Sequence, residues 1–164
     1  MSKIAKIVSG GQTGADRAAL DEAKALGVPI GGWVPKGGWA EDLPEPPGLL
    51  ALYPELQETP RAGTTQRTTW NVRDSDVTLI FVGEESEEGS ESPGTRQTVE
   101  DAILYDKPYI RIGTLMEVDP VLWQLEDLPD DLTVNVAGHR ESEFPGMYTA
   151  VRTFLHDLIL KANA

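Results

Sequence analysis

Residues 9–16 read Ser9-Gly10-Gly11-Gln12-Thr13-Gly14-Ala15-Asp16, and they join an apolar run, 4–8, to a segment of helical periodicity, 15–26. The pattern predicts a strand, a tight turn and a helix. Glycines in such a turn adopt positive φ angles and let the backbone approach a ligand, and N–H groups at a helix start favour an anion. The stretch therefore predicts a phosphate-binding loop, with an empty tight turn as the alternative. The polar side chains of Gln12, Thr13 and Asp16 favour the phosphate-binding loop, because a tight turn needs none of them.

Strands and helices alternate along the rest of the chain. Apolar runs predict further strands at 28–34, 77–82, 109–112 and 132–136. Helical spacing predicts helices at 64–73, 92–103, 119–125 and 146–161, the third of them capped by Asp119, while the segment 35–63 reads as a long irregular loop. This alternation predicts an α/β fold in which helices cover both faces of a parallel sheet of about five strands.

Four glycine-rich or polar segments each follow a predicted strand. They are residues 10–16, 35–42, 92–95 and 138–142. The carboxyl ends of parallel strands meet at one edge of a sheet, and ligands of open α/β sheets bind beyond that edge. We therefore expect these segments to lie together and to form a ligand site.

Three of these segments carry further candidate ligand-binding groups. Lys36 lies between Trp33 and Trp39, so it is either an exposed lysine or a site cation. The two indoles either sandwich an aromatic ligand or anchor the loop on the core. Gly94-Thr95 at a helix start is either a second phosphate contact or an ordinary N-cap. Arg140 is either a site cation or half of a surface ion pair with the glutamate next to it.

Asp16 admits several roles. Either Asp16 or Thr13 could cap the helix. A carboxylate beside a phosphate repels it, so Asp16 could instead accept a hydrogen bond from a hydroxyl, position Arg17, or act as a general acid or base. The sequence leaves these roles open.

The helix predicted at 64–73 has a mixed polar and aromatic face, which is typical of a pocket wall rather than of a core. The residues on this face follow helical spacing, and they are Arg67, Trp70, Asn71 and Asp74. Arg73 and Asp74 precede the next strand at its amino end, so we expect them to form an ion pair away from the ligand loops.

Composition argues against several classes of function. The 164 residues carry a net charge of −13, which disfavours nucleic acid and anionic membranes as partners, and no segment has the length of a membrane span. The chain has no cysteine and two histidines, so we expect no metal held by protein ligands. The five glutamates of residues 84–91 predict a solvated loop, which could also act as a lid. We expect a cytoplasmic protein.

The first stretch and several later segments resemble the putative molybdenum carrier proteins, which belong to the SLOG superfamily of Rossmann-like domains. The resemblance covers nearly the whole chain in order. The segments that carry it are 9–20, Gly31-Gly32-Trp33-Val34-Pro35-Lys36-Gly37, Ala40-Glu41-Asp42, Tyr53-Pro54, Glu58-Thr59-Pro60, 67–76 and Asn135-Val136-Ala137-Gly138-His139-Arg140-Glu141-Ser142.

This resemblance implies one Rossmann-like, doubly wound ligand-binding domain over residues 1–164, a homo-oligomer, and a phosphorylated ligand. The family name points to molybdenum cofactor, a pterin that bears a phosphate. We expect the protein to bind this ligand as cargo rather than to catalyse a reaction. The candidate ligand-binding residues are Gly10, Gly11, Gln12, Thr13, Gly14, Asp16, Lys36, Gly94, Thr95 and Arg140.

Two other functions stay open. Related SLOG domains include the Lonely Guy enzymes, which cleave nucleoside monophosphates and carry a Pro-Gly-Gly-x-Gly-Thr-x-x-Glu motif. The corresponding residues 92–98 lack the paired glycines, and Glu100 stands two positions beyond the expected glutamate. In a hydrolase of this type the acid–base group would be Asp16, Glu41 or Glu100. The last alternative is a sensor that binds a nucleotide derivative and catalyses no reaction.

Overall fold

The computed structural model describes residues 2–83 and 92–164. Strands in this part lie at Ile4–Val8 (β1), Ile30–Gly31 (β2), Trp33–Val34 (β3), Gln57–Glu58 (β4), Val77–Val82 (β5), Tyr109–Gly113 (β6) and Leu132–Gly138 (β7). Helices lie at Ala15–Ala25 (α1), Leu49–Leu52 (α2), Thr64–Arg73 (α3), Pro93–Leu104 (α4), Val118–Glu126 (α5) and Met147–Ala162 (α6). None of these helices combines the length and apolar character needed to cross a bilayer.

The main sheet has five parallel strands in the order β2-β1-β7-β5-β6. Helices α1, α5 and α6 pack against one another, and α3 packs against α4, so a helix layer covers each face of the sheet. The predicted Rossmann-like α/β fold with a parallel sheet of five strands is confirmed. Because β7 lies between β1 and β5, the carboxyl ends of these three strands are neighbours.

The packing of α1 fixes where the first loop lies. Its buried face includes four alanines with no exposed surface, Ala15, Ala18, Ala19 and Ala23, and side chains this small let the helix approach the sheet and α6 closely. At its first residue the Ala15 N–H donates to the carbonyl oxygen of His139 at 3.2 Å. The loop after β1 therefore touches the segment after β7.

The segment 28–34, predicted as one strand interrupted by Gly31 and Gly32, forms two strands in different sheets. The chain breaks at Gly32 between β2, which belongs to the main sheet, and β3, which pairs with β4 in a separate sheet of two strands. Gly32 has φ 130, and a Cβ there would lie 2.9 Å from the Ser9 backbone nitrogen. The backbone turns away at the one residue that tolerates both this φ and this contact.

Other expectations also need correction. The segment 35–63 is not wholly irregular, since it contains α2 and β4. Helix α5 begins at Val118 with Glu117 as its N-cap, so Asp119 lies in the first turn and is not the cap. The expected Arg73–Asp74 ion pair forms, with 2.8 Å between Arg73 Nε and Asp74 Oδ1. The glutamate-rich segment 84–91 lies outside the described residues.

Candidate functional site

A cavity of about 310 Å³ opens at the carboxyl edge of the sheet. It takes lining residues from each of the four segments that follow predicted strands, and from the facing sides of α3 and α4. This placement agrees with the expected convergence of the four segments. The lining residues are Gln12, Asp16, Trp39, Thr64, Arg67, Thr68, Ser92, Pro93, Gly94, Thr95, Gln97, Thr98, Ala137, Gly138, Arg140 and Glu143.

The first loop uses most of its backbone N–H groups within the protein. The Gln12 N–H donates to the Asp16 carboxylate at 3.3 Å, and the Thr13 N–H donates to Gln12 Oε1 at 3.1 Å. The Gly11 N–H donates to the Ser9 hydroxyl at 3.2 Å. A phosphate bound to this backbone would have to displace these bonds. The loop therefore offers the cavity the side chains of Gln12 and Asp16 rather than a row of unpaired N–H groups.

Neither Thr13 nor Asp16 caps α1, which corrects the capping expectation. The N-cap is Gly14, and no side chain bonds to the first turn as a cap. Gly14 has φ 76 and ψ −126, a region that side-chain-bearing residues avoid. A Cβ at Gly14 would lie 2.8 Å from the Glu141 backbone nitrogen. Glycine is required here because the loop after β1 packs directly on the backbone after β7.

The N-terminus of α4 offers the cavity a better anion contact. Ser92 is its N-cap and accepts a long bond, 3.3 Å, from the Thr95 N–H, while Pro93 has no N–H. No hydrogen bond within residues 2–83 and 92–164 uses the Gly94 N–H, and a Cβ at Gly94 would meet nothing within 4 Å. This open helix terminus supplies donors and a partial positive charge. Ser92, rather than Gly94 or Thr95, provides the predicted cap.

Arg67 brings a cation to the same cavity from α3. One guanidinium nitrogen donates to the Thr68 hydroxyl at 2.8 Å, and the buried Nε has no hydrogen-bond partner in the part of the chain that the structure describes. The guanidinium lies flat on Gly10, where a Cβ would come within 2.8 Å of it. Burial lowers the pKa of Arg67 from its ordinary value, although an arginine stays charged at neutral pH. An unpaired donor on a buried cation is costly unless a ligand satisfies it.

Asp16 is the second buried charge of the cavity, with a relative exposure of 5%. Its carboxylate accepts only the 3.3 Å bond from the Gln12 N–H among the described residues, and no ion pair joins it to Arg67. Burial raises the pKa of Asp16 to about 6, while the charges of Arg67 and Arg17 act in the opposite direction. Asp16 can therefore change its protonation state near neutral pH.

Arg140 lies at the cavity mouth between two carboxylates. It contacts Glu41 at 3.3 Å and Glu143 at 3.4 Å, and its side chain is 43% exposed. It does not pair with Glu141, whose carboxylate accepts the N–H groups of Gly146 and Tyr148 at the start of α6. The charge of Arg140 is thus partly neutralised before any ligand binds.

Glu41 ties three loops together. Its carboxylate accepts hydrogen bonds from the Thr13 hydroxyl and from the Ser142 hydroxyl at 2.7 Å, in addition to its contact with Arg140. Burial alone would raise the pKa of Glu41, but these bonds and the Arg140 charge outweigh it and lower the pKa. Glu41 is therefore held ionised and serves as a brace, not as a proton donor.

We expect Glu41→Gln to lower the free energy of unfolding by about 1–2 kcal/mol at pH 7. Since the folded-state pKa lies below the unfolded value, the stabilisation is present above about pH 4.3 and disappears as pH falls through the folded-state pKa. Urea unfolding of both proteins across this range measures the difference. Glu100→Gln, which changes the same charge on an exposed residue, should leave stability unchanged. A difference that persists undiminished in acid would contradict this account.

Some predicted site residues do not reach the cavity. Lys36 and Glu100 are exposed and are not among its lining residues. Trp33 packs edge-on against Trp70, with 4.8 Å between ring centroids, and its Nε1 donates to Asp74. Trp33 thus anchors its segment. Only Trp39, which is 36% exposed, borders the cavity, so the structure places no pair of indoles around a ligand.

The remaining predicted glycines and Thr13 hold the loop in shape. Gly10 makes room for Arg67, and Gly11, with φ 71, packs against Leu49. The Thr13 hydroxyl bridges Glu41 and the Glu141 N–H at 3.2 Å. These residues position the site from outside the cavity lining.

Sequence reasoning recognised the polar face of α3 but did not select Arg67, Thr64 or Thr68 as ligand contacts. It also missed the side of α4 that faces them. A signal was present, because residues on one side of a helix recur at intervals of three and four. The α4 positions that share one side in this way are Gly94, Gln97 and Thr98, which line the cavity together.

Comparisons with known proteins agree with this architecture. A model of the circularly permutated YpsA SLOG family matches residues 7–159. A crystal structure described as a putative molybdenum carrier protein from Syntrophus aciditrophicus SB superposes with a TM-score of 0.81 at 35% sequence identity, and the match covers 97% of this chain and 96% of that one. No curated protein sequence matches the chain.

Proposed function

Since this chain belongs to the circularly permutated YpsA SLOG family, we propose that it binds a phosphorylated small molecule in the cavity between α3 and α4. The bound phosphate lies at the N-terminus of α4, within reach of Arg67. The protein carries this ligand as cargo and does not change it chemically.

One observation carries the proposal: Arg67 and the N-terminus of α4, whose Gly94 N–H bonds to none of the described residues, line the same cavity. The net charge of −13 repels anions at long range. An anionic ligand must therefore be held by local donors of this kind. Phosphate oxygens accept several hydrogen bonds at once, which matches a guanidinium fork beside backbone N–H groups.

The cargo we propose is molybdenum cofactor, whose phosphorylated pterin combines an anion with a flat ring. The similar protein from Syntrophus aciditrophicus is called a putative molybdenum carrier. The phosphate suits Arg67, and the indole of Trp39 at the cavity border offers a face for the ring. The chain has no cysteine, so it offers no thiolate to the molybdenum, which fits a protein that holds the cofactor by its organic part.

The remaining features of the proposal concern the whole protein. It is one ligand-binding domain over residues 1–164, it acts in the cytoplasm, and it assembles as a homo-oligomer. Exposed apolar side chains near the C-terminus of α4 and on the edge strand β6 support self-association. They include Ile103 at 66%, Leu104 at 73% and Tyr109 at 37% exposure.

Calorimetric titration tests the binding function directly. We expect saturable binding of molybdenum cofactor and weaker binding of AMP and inorganic phosphate, because the latter two retain the anion but lack the pterin. Native mass spectrometry of freshly purified protein identifies any retained ligand by mass and reports the oligomeric state. An absence of binding to all three ligands at millimolar protein would overturn the proposal.

One observation favours a second function, hydrolysis of the N-glycosidic bond of a nucleoside monophosphate. Asp16 is a buried cavity carboxyl with a pKa of about 6, which suits a general acid or base. Of the other candidates, Glu41 is held ionised by its partners and Glu100 lies outside the cavity. Incubation with a nucleotide panel should then release ribose 5-phosphate, and Asp16→Asn should abolish the release. No product from any nucleotide would exclude this function.

A further inference from the structure

The charges around the cavity do not favour an anion while Asp16 is ionised. Four charged residues line it: Arg67, Arg140, Asp16 and Glu143. Their formal charges cancel, and Glu41 outside the lining also pairs with Arg140. A phosphate beside Arg67 would therefore enter a site whose cations are already balanced by carboxylates.

Asp16 is the carboxylate that can relieve this conflict. Glu143 accepts the Arg140 N–H at 3.0 Å and pairs with its guanidinium, so its charge is compensated. Asp16 lines the cavity with a relative exposure of 5%. Among the described residues its carboxylate has one long hydrogen bond and no ion pair. Protonation of Asp16 would remove a negative charge that no hydrogen-bonded ion pair holds among the described residues, and it would create an O–H donor at the cavity wall.

We propose that Asp16 binds the anion as a neutral carboxylic acid, donating its O–H toward the ligand, so that each anion enters the cavity together with one proton. This inference rests on the proposed anion site and specifies how that site is regulated. It also explains how an aspartate can line an anion site, where its charge would otherwise repel the ligand.

When a ligand binds, the charges around Asp16 favour its protonated form. The ligand adds negative charge, and it shares the positive charge of Arg67, which faces Asp16 from α3. Arg17 on α1 is paired with Asp42 at 2.8 Å, and Arg140 after β7 is paired with Glu41 and Glu143. The α4 residues that line the cavity are uncharged. Binding therefore raises the pKa of Asp16 above its value of about 6 in the unliganded protein.

His139, which directly follows β7, does not take this role. His139 is buried beside β7, and its Nδ1 accepts the Gly83 N–H at 3.1 Å. It does not line the cavity. A proton acquired with the ligand is thus assigned to Asp16.

Thermodynamic linkage gives the expected pH dependence. Above about pH 6 the unliganded protein must acquire a proton to bind, so the dissociation constant should rise about tenfold per pH unit. Below that pH Asp16 is already neutral, and the dissociation constant should become independent of pH. Sulfate is the probe, because it stays a dianion throughout this range and has no protonation step of its own.

The experiment is calorimetric titration of the full chain with sulfate at constant ionic strength, in two buffers that differ in ionisation enthalpy. At about pH 7 we expect uptake of about one proton per sulfate bound. Asp16→Asn should bind sulfate with no proton uptake and with a pH-independent dissociation constant. Glu100→Gln, which makes the same charge change on the exposed side of α4, should retain the wild-type proton uptake.

The outcomes separate this inference from the proposed function. Sulfate binding by the wild-type protein without proton uptake and without a pH slope would overturn the role of Asp16 and leave the anion site standing. Proton uptake that persists in Asp16→Asn would also overturn it. No sulfate binding at any pH would overturn the anion site itself. The wild-type measurement is decisive even if the variant unfolds.

Discussion

Arg67→Met should weaken the binding of sulfate and phosphate monoesters by about 100-fold or more. The substitution removes the buried cation and the unpartnered Nε while keeping a side chain of similar length. Loss of a guanidinium that makes two charge-assisted bonds to a ligand has this magnitude. Calorimetric titration with sulfate at about pH 5, where Asp16 is neutral and binding is expected to be strongest, measures the change.

The folded protein should tolerate this substitution. Among the described residues Arg67 has one hydrogen-bond partner, Thr68, and its Nε is buried without one, so an apolar replacement removes an unsatisfied polar group. We expect the free energy of unfolding to stay within about 1 kcal/mol of the wild-type value. Arg73→Met is the matched control, because Arg73 lies on the same helix but pairs with Asp74 outside the cavity. Equal affinity in the two variants would contradict the assigned role of Arg67.

Gly14→Ala should lower the free energy of unfolding by about 3 kcal/mol or more. Gly14 has φ 76 and ψ −126, and a Cβ there would lie 2.8 Å from the Glu141 nitrogen and close to the His139 carbonyl oxygen. Backbone strain and a collision with backbone atoms add together, because neither neighbour is a flexible side chain. Urea denaturation measures the loss.

The control for this substitution is Gly63→Ala. Gly63 is the N-cap of α3 with φ −73, and a Cβ there would meet nothing within 4 Å, so the free energy of unfolding of this variant should fall by no more than about 1 kcal/mol. Gly14→Ala should also weaken anion binding if it folds, since it separates the first loop from the segment that carries Arg140. Equal stability of the two variants would show that the loops do not pack as described.

The location of the site followed from the sequence because chain topology alone determines it. Alternating strands and helices predict a parallel sheet, and residues that follow parallel strands meet at one edge. Gln12, Asp16, Gly94 and Arg140 were selected on this basis and line one cavity. Lys36 met the same criterion and is exposed elsewhere, because position along the chain does not determine side-chain direction on a long loop.

The hydrogen bonds and protonation states of the site residues could not be predicted from chain topology. The first loop has the glycines of a phosphate-binding turn, yet its N–H groups bond to Ser9, Gln12, Asp16 and His139. Glu41 was an acid–base candidate by residue type. Hydrogen bonds from Thr13 and Ser142, which lie 28 and 101 positions away in the sequence, keep it ionised. Such contacts depend on which loops meet in space, so they cannot be predicted from the local sequence.

Periodicity and chain order predicted the parallel sheet, the bounds of β1, α3 and β5, and the edge where the candidate site lies, whereas the family followed from the resemblance of the first stretch and the later segments. Tertiary structure decided which charged groups act there. Arg67 reaches Gly10 from α3, and burial raises the pKa of Asp16 to about 6 although the charge of Arg67 acts to lower it. Desolvation and charge pairing arise only when distant segments pack together, and they convert a glycine-rich turn into a site built around one buried cation and one titratable carboxyl group.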